Sequence, residues 1–329
     1  MNVRESMPAA LMALVLFPAC TMPASRVSEV LVYSGAFDGS AAVAIDTSRF
    51  VAASDEDSTL RIYRRDAGGE PLQQINLSSF LELDPHSRET DIEAAARIGN
   101  RAYWISSHGR NKNGKERFSR HRFFATDIVT NKVGVQFLPS GKPYEDLVED
   151  LISSDQLKAF NLAAAAVRLP KNPGGLSIEG LAATPDQHLL IGFRNPVPQG
   201  RALLVPLLNP DEVIEGRHAR FGAPIQMNLN GLGIRDIASW QGEFIVIAGP
   251  SDGGGPFKLF RWAGGDSLPK PTKHLSLKNL HPEAVVIYPD KGLREFQLLS
   301  DDSTKQRDTA GKAPPSLMKK HFRSVWVTP

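Results

Sequence analysis

The sequence predicts an all-β fold and, within that class, a β-propeller. Short apolar runs separated by Gly, Pro, Asn and Asp are abundant along the 329 residues, whereas apolar residues at helical spacing are scarce. One frame recurs five times: a polar or acidic doublet, an apolar strand, a turn, and a second apolar strand that ends in a polar cluster. A repeat of roughly 50 residues made of short strands is typical of propeller blades.

The doublet that opens each frame contains a carboxylate in four of the five copies. These four are Asp91-Ile-Glu93-Ala94, Ser177-Ile-Glu179-Gly180, Arg235-Asp236-Ile-Ala238 and His281-Pro-Glu283-Ala284. The first copy has Ala41 at this position, but its second strand ends in the acidic residues Asp55 to Asp57. The acids therefore predict both where each blade begins and where a site could form.

Each blade requires four antiparallel strands, the innermost beside a central channel. The predicted strands are 41–46, 50–54, 59–63 and 72–77 in blade one; 92–98, 102–106, 122–129 and 132–138 in blade two; 179–184, 189–193, 202–208 and 219–229 in blade three; 236–240, 244–248, 257–262 and 274–277 in blade four; and 283–288, 295–300 and 322–328 in blade five. Residues 28–34 would supply the missing strand of blade five, closing the ring through both termini and removing its open edges. Five blades are favoured, with six as the alternative.

A helical insertion is predicted at residues 142–168, between blades two and three. Apolar residues such as Leu147 and Leu151 recur there at three- and four-residue spacing, as on an amphipathic helix. The insertion would cover an exposed flank or wall one side of the channel mouth.

The amino terminus reads as a targeting segment. Residues 1–20 are interpreted as a signal peptide, because the apolar run before Cys20 is too short to span a bilayer. Cys20, the only cysteine, stands where a bacterial lipoprotein carries its lipidated cysteine. We therefore expect an exported protein, periplasmic or anchored to the outer membrane through Cys20, with a linker at 21–27 and one domain at 28–329.

The charge pattern limits the partners. The net charge is only +2 and the basic residues are scattered, so a nucleic-acid partner is excluded. A monomer is expected, with a membrane contacted only through a lipid at Cys20.

Several motifs together resemble a known bacterial family. They are the runs 104–115, 190–196, 233–238 and 248–257, with Ser177-Ile-Glu-Gly-Leu-Ala182. This set resembles the domain-of-unknown-function family numbered 3616, and the resemblance implies a propeller-like fold without an established activity. The Glu-Gly openings are also distantly similar to those of the esterase-like phytase family.

Two rings of polar side chains are predicted at one mouth of the channel. Carboxylates converging on the axis repel one another, and calcium, which takes six to eight oxygen ligands, would relieve them. The predicted calcium ligands are Glu93, Glu179, Asp236 and Glu283. The second ring would bind a ligand, with its arginines forking onto anionic oxygens; its predicted members are Arg110, Asn111, Arg194, Asn195, Arg235, Asp252 and Asp301.

Three functions fit these rings. The favoured one is binding of a small anionic ligand with calcium. The alternative is calcium-assisted hydrolysis of a phosphate ester or carboxyl ester, with His108 or Glu179 as catalytic base. The second alternative is a protein-interaction scaffold. In a separate, purely structural interpretation, the acids brace neighbouring blades by accepting backbone hydrogen bonds. Whether the protein is an enzyme stays open at this level.

Overall fold

The structure, a computed structural model, describes residues 25–84, 89–131, 134–303 and 320–329. The predicted signal peptide and Cys20 lie outside the described residues. Two short strands come first, β1 (Arg26–Val27) and β2 (Leu31–Ser34). Four four-stranded sheets follow around a common axis, and a five-stranded sheet that includes β1 and β2 completes the ring.

The strands fall into blades in chain order. Blade one has β3 (Ala41–Ala44), β4 (Arg49–Ala53), β5 (Thr59–Arg64) and β6 (Gln73–Asn76). Blade two has β7 (Ile92–Ile98), β8 (Arg101–Ser106), β9 (Phe123–Asn131) and β10 (Gly134–Tyr144). Blade three has β11 (Ser177–Ala183), β12 (Leu189–Asn195), β13 (Ala202–Leu207) and β14 (Ile225–Met227). Blade four has β15 (Gly233–Trp240), β16 (Glu243–Gly249), β17 (Lys258–Trp262) and β18 (Lys270–Pro271), and blade five has β19 (Pro282–Val286), β20 (Phe296–Ser300) and β21 (His321–Thr328).

The five-bladed propeller is confirmed. The first strands β3, β7, β11, β15 and β19 lie side by side around the channel, each contacting the next, and β19 returns to β3. Buried apolar side chains form five groups, one between each pair of neighbouring blades. The fold therefore has no single central core, and each blade is held by the two beside it.

The second strand of each blade shows why the apolar runs are continuous rather than alternating. In β8, Tyr103 and Ile105 pack toward blade three, whereas Ala102 and Trp104 pack toward blade one. Successive strand residues point to opposite faces, and here both faces are covered. An unbroken apolar run is the consequence.

Closure of the ring by both termini is also confirmed. The last strand, β21, pairs with β20 on one side and with β1 and β2 on the other, all antiparallel. Tyr33 lies opposite Phe322, and the ring of Phe322 lies 5.4 Å from that of Tyr33 and 5.5 Å from that of Tyr63 in blade one. The aromatic cluster thus joins the first and last blades.

The predicted helical insertion between blades two and three is present. It contains α1 (Leu147–Ser153), a 3-10 helix (Asp155–Phe160) and α2 (Leu162–Ala166). Strand β10 runs on to Tyr144, opposite Phe123, so the first residues of the predicted segment are strand. A further short helix, α3 (Pro210–Ile214), follows β13, and 3-10 turns lie at Phe118–Arg120, Pro198–Gly200 and Gly292–Arg294. Within the described ranges, none of the helices has the length and apolar character needed to cross a bilayer.

The outermost strands differ most from the prediction. Blade four ends in Lys270–Pro271 rather than in 274–277, and blade three ends in Ile225–Met227 rather than in 219–229. Leu275 and Leu277 gave the strand signal in blade four, but they pack as loop residues into the core between blades four and five. Apolar character marked burial there and not strand pairing.

Blades three and four approach closely at two glycines. A Cβ atom at Gly180 or Gly192 would lie 2.8 Å or 2.9 Å from Cγ2 of Ile234, closer than side-chain atoms pack. The Glu-Gly opening of β11 is therefore a packing requirement as well as a motif.

We predict that Phe322→Ala lowers the free energy of unfolding by about 3–5 kcal/mol, because it leaves a cavity in the cluster that joins the first and last blades. Urea denaturation followed by tryptophan fluorescence measures the change. Phe118→Ala is the matched control, since Phe118 is 69% exposed and should change stability little. Equal effects of the two substitutions would contradict the closure role of Phe322.

Candidate functional site

A β-bulge opens the inner strand of four blades, and it lies at the same place in each. The register shifts between Ile92 and Ala94, between Ile178 and Gly180, between Ile234 and Asp236, and between Pro282 and Ala284. A bulge leaves one residue out of the ladder and re-aims its side chain. The extra residues are Glu93, Glu179, Arg235 and Glu283.

This arrangement changes the predicted ring in blade four. The bulge position there is held by Arg235, and Asp236 lies one residue further along. The carboxylate of Asp236 accepts a hydrogen bond of 2.7 Å from the backbone N–H of Val285 in blade five. Asp236 therefore braces two blades instead of joining the other acids.

Arg235 lies between two carboxylates of the ring. Its Nη1 is 3.0 Å from Oε2 of Glu179, and its Nη2 donates to Oε1 of Glu283. Three blades are therefore joined by one guanidinium. Because all three side chains are buried, the pairs are shielded from water and salt.

Glu179 is fully engaged by its neighbours. Arg194 donates to its Oε1 at 2.9 Å, and the Ser177 hydroxyl donates to the same oxygen at 3.1 Å. Burial raises the pKa of Glu179, but Arg194 and Arg235 outweigh it, so the pKa lies below its ordinary value. Glu179 is accordingly an ionised partner of two arginines, and a poor proton acceptor.

Glu283 has the opposite electrostatic balance. Burial raises its pKa to about 8, in spite of the opposing effect of Arg235, and the nearby carboxylates of Asp301 and Glu179 add to the rise. Arg235 is shared by two buried acids, so it offsets only part of the effect of burial on the pKa of Glu283.

The remaining acids form a separate cluster between blades one and two. One carboxylate oxygen from each of Asp55, Asp91 and Glu93 lies within 4.8 Å of the others. Asp55 comes from the loop after β4, and Asp91 and Glu93 flank Ile92 at the start of β7. The loss of the acid at position 41 is thus compensated by Asp55.

The three carboxylates differ in how they are bonded. Asp91 accepts from the Ser107 hydroxyl and from Nη1 of Arg120, the latter at 3.0 Å. Oδ1 of Asp55 is buried and has no hydrogen-bond partner among the described residues. Behind Asp55, the buried Asp38 accepts hydrogen bonds from Ser40, Ser54 and the Asp55 backbone.

Burial and nearby carboxylates raise the pKa of all three acids. Burial raises the pKa of Asp91 to about 6, against the effect of Arg120. The pKa values of Asp55 and Glu93 lie well above the ordinary range, because both carboxylates are buried and face other acids, Asp38 for Asp55 and Glu179 for Glu93. Such a group takes up either protons or a cation.

His108 is not placed as an accessible base. It is 2% exposed, its Nδ1 lies 2.8 Å from the Ser106 carbonyl oxygen, and its ring lies 5.6 Å from that of His121. Burial lowers its pKa to about 3, and the neighbouring His121 adds to this. His108 is therefore a neutral histidine of the loop that follows β8.

Of the seven residues predicted to bind the ligand, only Arg194, Arg235 and Asp301 act on the acidic ring. Arg194 pairs with Glu179, and Asp301 is close enough to Asp38 and Glu283 to raise the pKa of each. The other four form hydrogen bonds with loop backbone. Arg110 donates to the carbonyls of Ala166 and Gly114, and Asn195 donates to those of Pro170 and Asn172. Asn111 and Asp252 each accept from backbone N–H groups of their own turns.

Three residues of the mouth escaped the sequence analysis as site residues: Asp38, Asp91 and Arg120. Asp91 had a signal, since it stands two residues before Glu93 in the same opening motif. Asp38 stands before the first frame and Arg120 lies in the loop after β8, so neither belongs to the repeated motif.

A family model described as protein of unknown function (DUF3616) matches residues 121–292, just over half of the chain. The chain belongs to this family. A comparison with curated proteins finds no match. The distant similarity to the esterase-like phytase family stays a prediction.

Solved structures give only broad likenesses. Glutaminyl cyclase from Myxococcus xanthus is 10% identical, with 93% of this chain and 97% of that chain covered and a TM-score of 0.44. The PQQ-bound aldose sugar dehydrogenase from Streptomyces coelicolor is 11% identical, with 92% and 99% covered and a TM-score of 0.43. Exo-beta-1,3-galactanase from Phanerochaete chrysosporium is 11% identical, with 92% and 64% covered and a TM-score of 0.45. Similarity at this level assigns no activity to the chain.

We predict that Arg235→Met lowers the free energy of unfolding by about 3–5 kcal/mol, because it leaves Glu179 and Glu283 buried without their shared partner. Chemical denaturation at neutral pH measures the loss. Arg261→Met is the matched control: its pair with Glu243 is half exposed and should contribute less than about 1 kcal/mol. A loss no larger than that of the control would show that Arg235 does not hold the blades together.

Stability should also fall as the pH rises, because Glu283 has a raised pKa. Between its ordinary value of 4.5 and about 8, the folded protein keeps the Glu283 proton and the unfolded chain does not. The unfolded state is therefore favoured as the pH rises through this window, and Asp55, Glu93 and Asp236 act in the same direction.

Denaturation in the presence of a chelator, repeated across that pH window, measures the slope. Glu283→Gln should make the slope shallower, whereas Glu243→Gln, at an exposed carboxylate, should leave it unchanged. A wild-type free energy of unfolding that increases with pH through this window would refute the assignment.

Proposed function

We propose that this protein binds a divalent cation, best matched by calcium, at Asp55, Asp91 and Glu93, and that it binds a small anionic ligand through that cation. The observation that carries the proposal is the convergence of three carboxylate oxygens within 4.8 Å, with Oδ1 of Asp55 left without a partner among the described residues. A cation would supply that partner and relieve the repulsion that raises the three pKa values.

The donor set favours a hard cation. All three side chains offer oxygen, and neither histidine nor cysteine belongs to the cluster. Calcium takes six to eight oxygen ligands in flexible geometry, whereas zinc prefers nitrogen and sulfur. Three carboxylates leave coordination positions for water and for an oxygen of a ligand.

The contacts of the two arginines at the mouth indicate that the cation, and not an arginine, would attract the anionic ligand. Arg194 and Arg235 already donate to Glu179 and Glu283, so the N–H groups in these pairs are occupied inside the protein. An anion entering the mouth would gain little from them. The cation is accordingly the main attraction for an anionic ligand, instead of the arginine forks expected from the sequence.

No observation favours hydrolysis over binding. Glu179 is held ionised by two arginines, and His108 is buried in its loop. Neither group has the raised basicity or the access that a general base requires. Binding is therefore the function that the described side chains support best.

Calcium should stabilise the protein. At a free concentration about 100 times the dissociation constant, binding adds about 2.7 kcal/mol, which corresponds to a rise in melting temperature of roughly 5 °C for a domain of this size. Differential scanning fluorimetry with calcium, magnesium and excess chelator measures the shift.

Asp91→Asn and Glu93→Gln should each abolish most of this rise. Asp252→Asn is the matched control, since Asp252 lies in an exposed turn and accepts only a backbone hydrogen bond. The proposal fails if calcium and chelator leave the melting temperature of the wild type unchanged, or if Asp252→Asn weakens the response as much as Asp91→Asn.

A further inference from the structure

A cavity occupies the end of the channel opposite the acidic mouth. All five inner strands contribute their later halves to it: 42–45, 95–97, 181–183, 238–240 and the segment around Val285 and Ile287. Its volume is about 340 Å³. Small-molecule sites have volumes of about 300–1,000 Å³, so the space suits a small ligand.

The walls of this cavity are unlike those of the mouth. They consist mainly of alanine, valine, isoleucine and leucine, with Trp240 and Ser239 from blade four. Among the lining residues only Arg97 carries a charge. The acidic groups of the mouth come from the first residues of the same strands, so the channel has one acidic and one apolar end.

Arg97 lies at this end, and none of the described carboxylates forms an ion pair with it. Its Nη1 donates to the carbonyls of Ala44 and Ile45 at 2.9 Å and 2.7 Å, and its Nε donates to that of Gly99 at 2.7 Å. These acceptors are neutral, and Nη2 takes part in none of the three bonds. Asp46, the acid that raises the pKa of Arg97, is itself engaged by Arg49 through two hydrogen bonds of 2.9 Å and 2.6 Å.

The charge of Arg97 is therefore only partly compensated. Burial lowers its pKa, and Asp46 offsets this only in part. A half-buried guanidinium bonded to neutral carbonyls attracts an anion, and the two N–H groups of Nη2 can donate to a carboxylate.

We propose that this cavity binds a small amphipathic carboxylate, with its apolar body among the aliphatic side chains and its carboxylate on Arg97. A single guanidinium with one nitrogen outside the backbone bonds matches a monoanion better than a phosphate dianion. The site is independent of the proposed cation site, because it shares no residue with Asp55, Asp91 and Glu93.

Isothermal titration calorimetry of the full-length protein with hexanoate, octanoate and decanoate tests this site. Each added methylene should tighten binding about fourfold while the cavity is being filled. The neutral amide of the same chain length should bind about tenfold or more weakly than the acid, because it cannot form the charged pair with Arg97.

Arg97→Gln should remove the preference for acid over amide while retaining the dependence on chain length. The matched control is Arg49→Gln, at the same end of the propeller but outside the cavity, which should retain both. Ala183→Leu and Ser239→Leu fill the cavity from half-buried positions, and each should weaken decanoate binding at least tenfold.

Three outcomes would overturn the proposal: no binding of any acid, equal binding of acid and amide, or an unchanged preference in Arg97→Gln. Circular dichroism of each variant establishes that it is folded before titration. Calcium and chelator should leave fatty-acid binding unchanged, so failure of this site and failure of the cation site are distinguishable.

Discussion

The need to bury several carboxylates around one axis governs the architecture of this protein. Each inner strand begins beside the channel, and in four blades a bulge turns a charged side chain out of the ladder at that point. Four acids there would repel one another strongly. Arg235 occupies the bulge of blade four and reduces this repulsion, because its single guanidinium joins Glu179 and Glu283 across three blades.

Arg235 divides the mouth into two parts with different chemistry. On the side of blades three to five, the acids pair with Arg194 and Arg235, so this side mainly stabilises the ring. On the side of blades one and two, Asp55, Asp91 and Glu93 converge, with only Asp91 paired to an arginine. The imbalance of charge therefore concentrates where a cation could enter, and the site is a consequence of how the ring is stabilised.

The fold explains why one channel can offer two unlike surfaces. The five inner strands run from the mouth toward the opposite end. Along these strands, the charged residues give way to mainly small and aliphatic residues within about two repeats of the pleat. Small side chains allow the five strands to approach the axis and still leave a cavity. Arg97 then introduces the only charge among its lining residues.

The sequence by itself determined the blade count, the closure by both termini and the helical insertion, because each depends on local apolar periodicity and on a repeat that can be counted. It also placed Glu93, Glu179, Arg235 and Glu283 at the start of the blades. Tertiary structure alone decided which acids face one another, since a bulge of one residue moved Asp236 out of the ring and Arg235 into it. It alone brought Asp55 beside Asp91 and Glu93, because this position depends on contacts between residues far apart in the chain, and it showed His108 buried in its own loop.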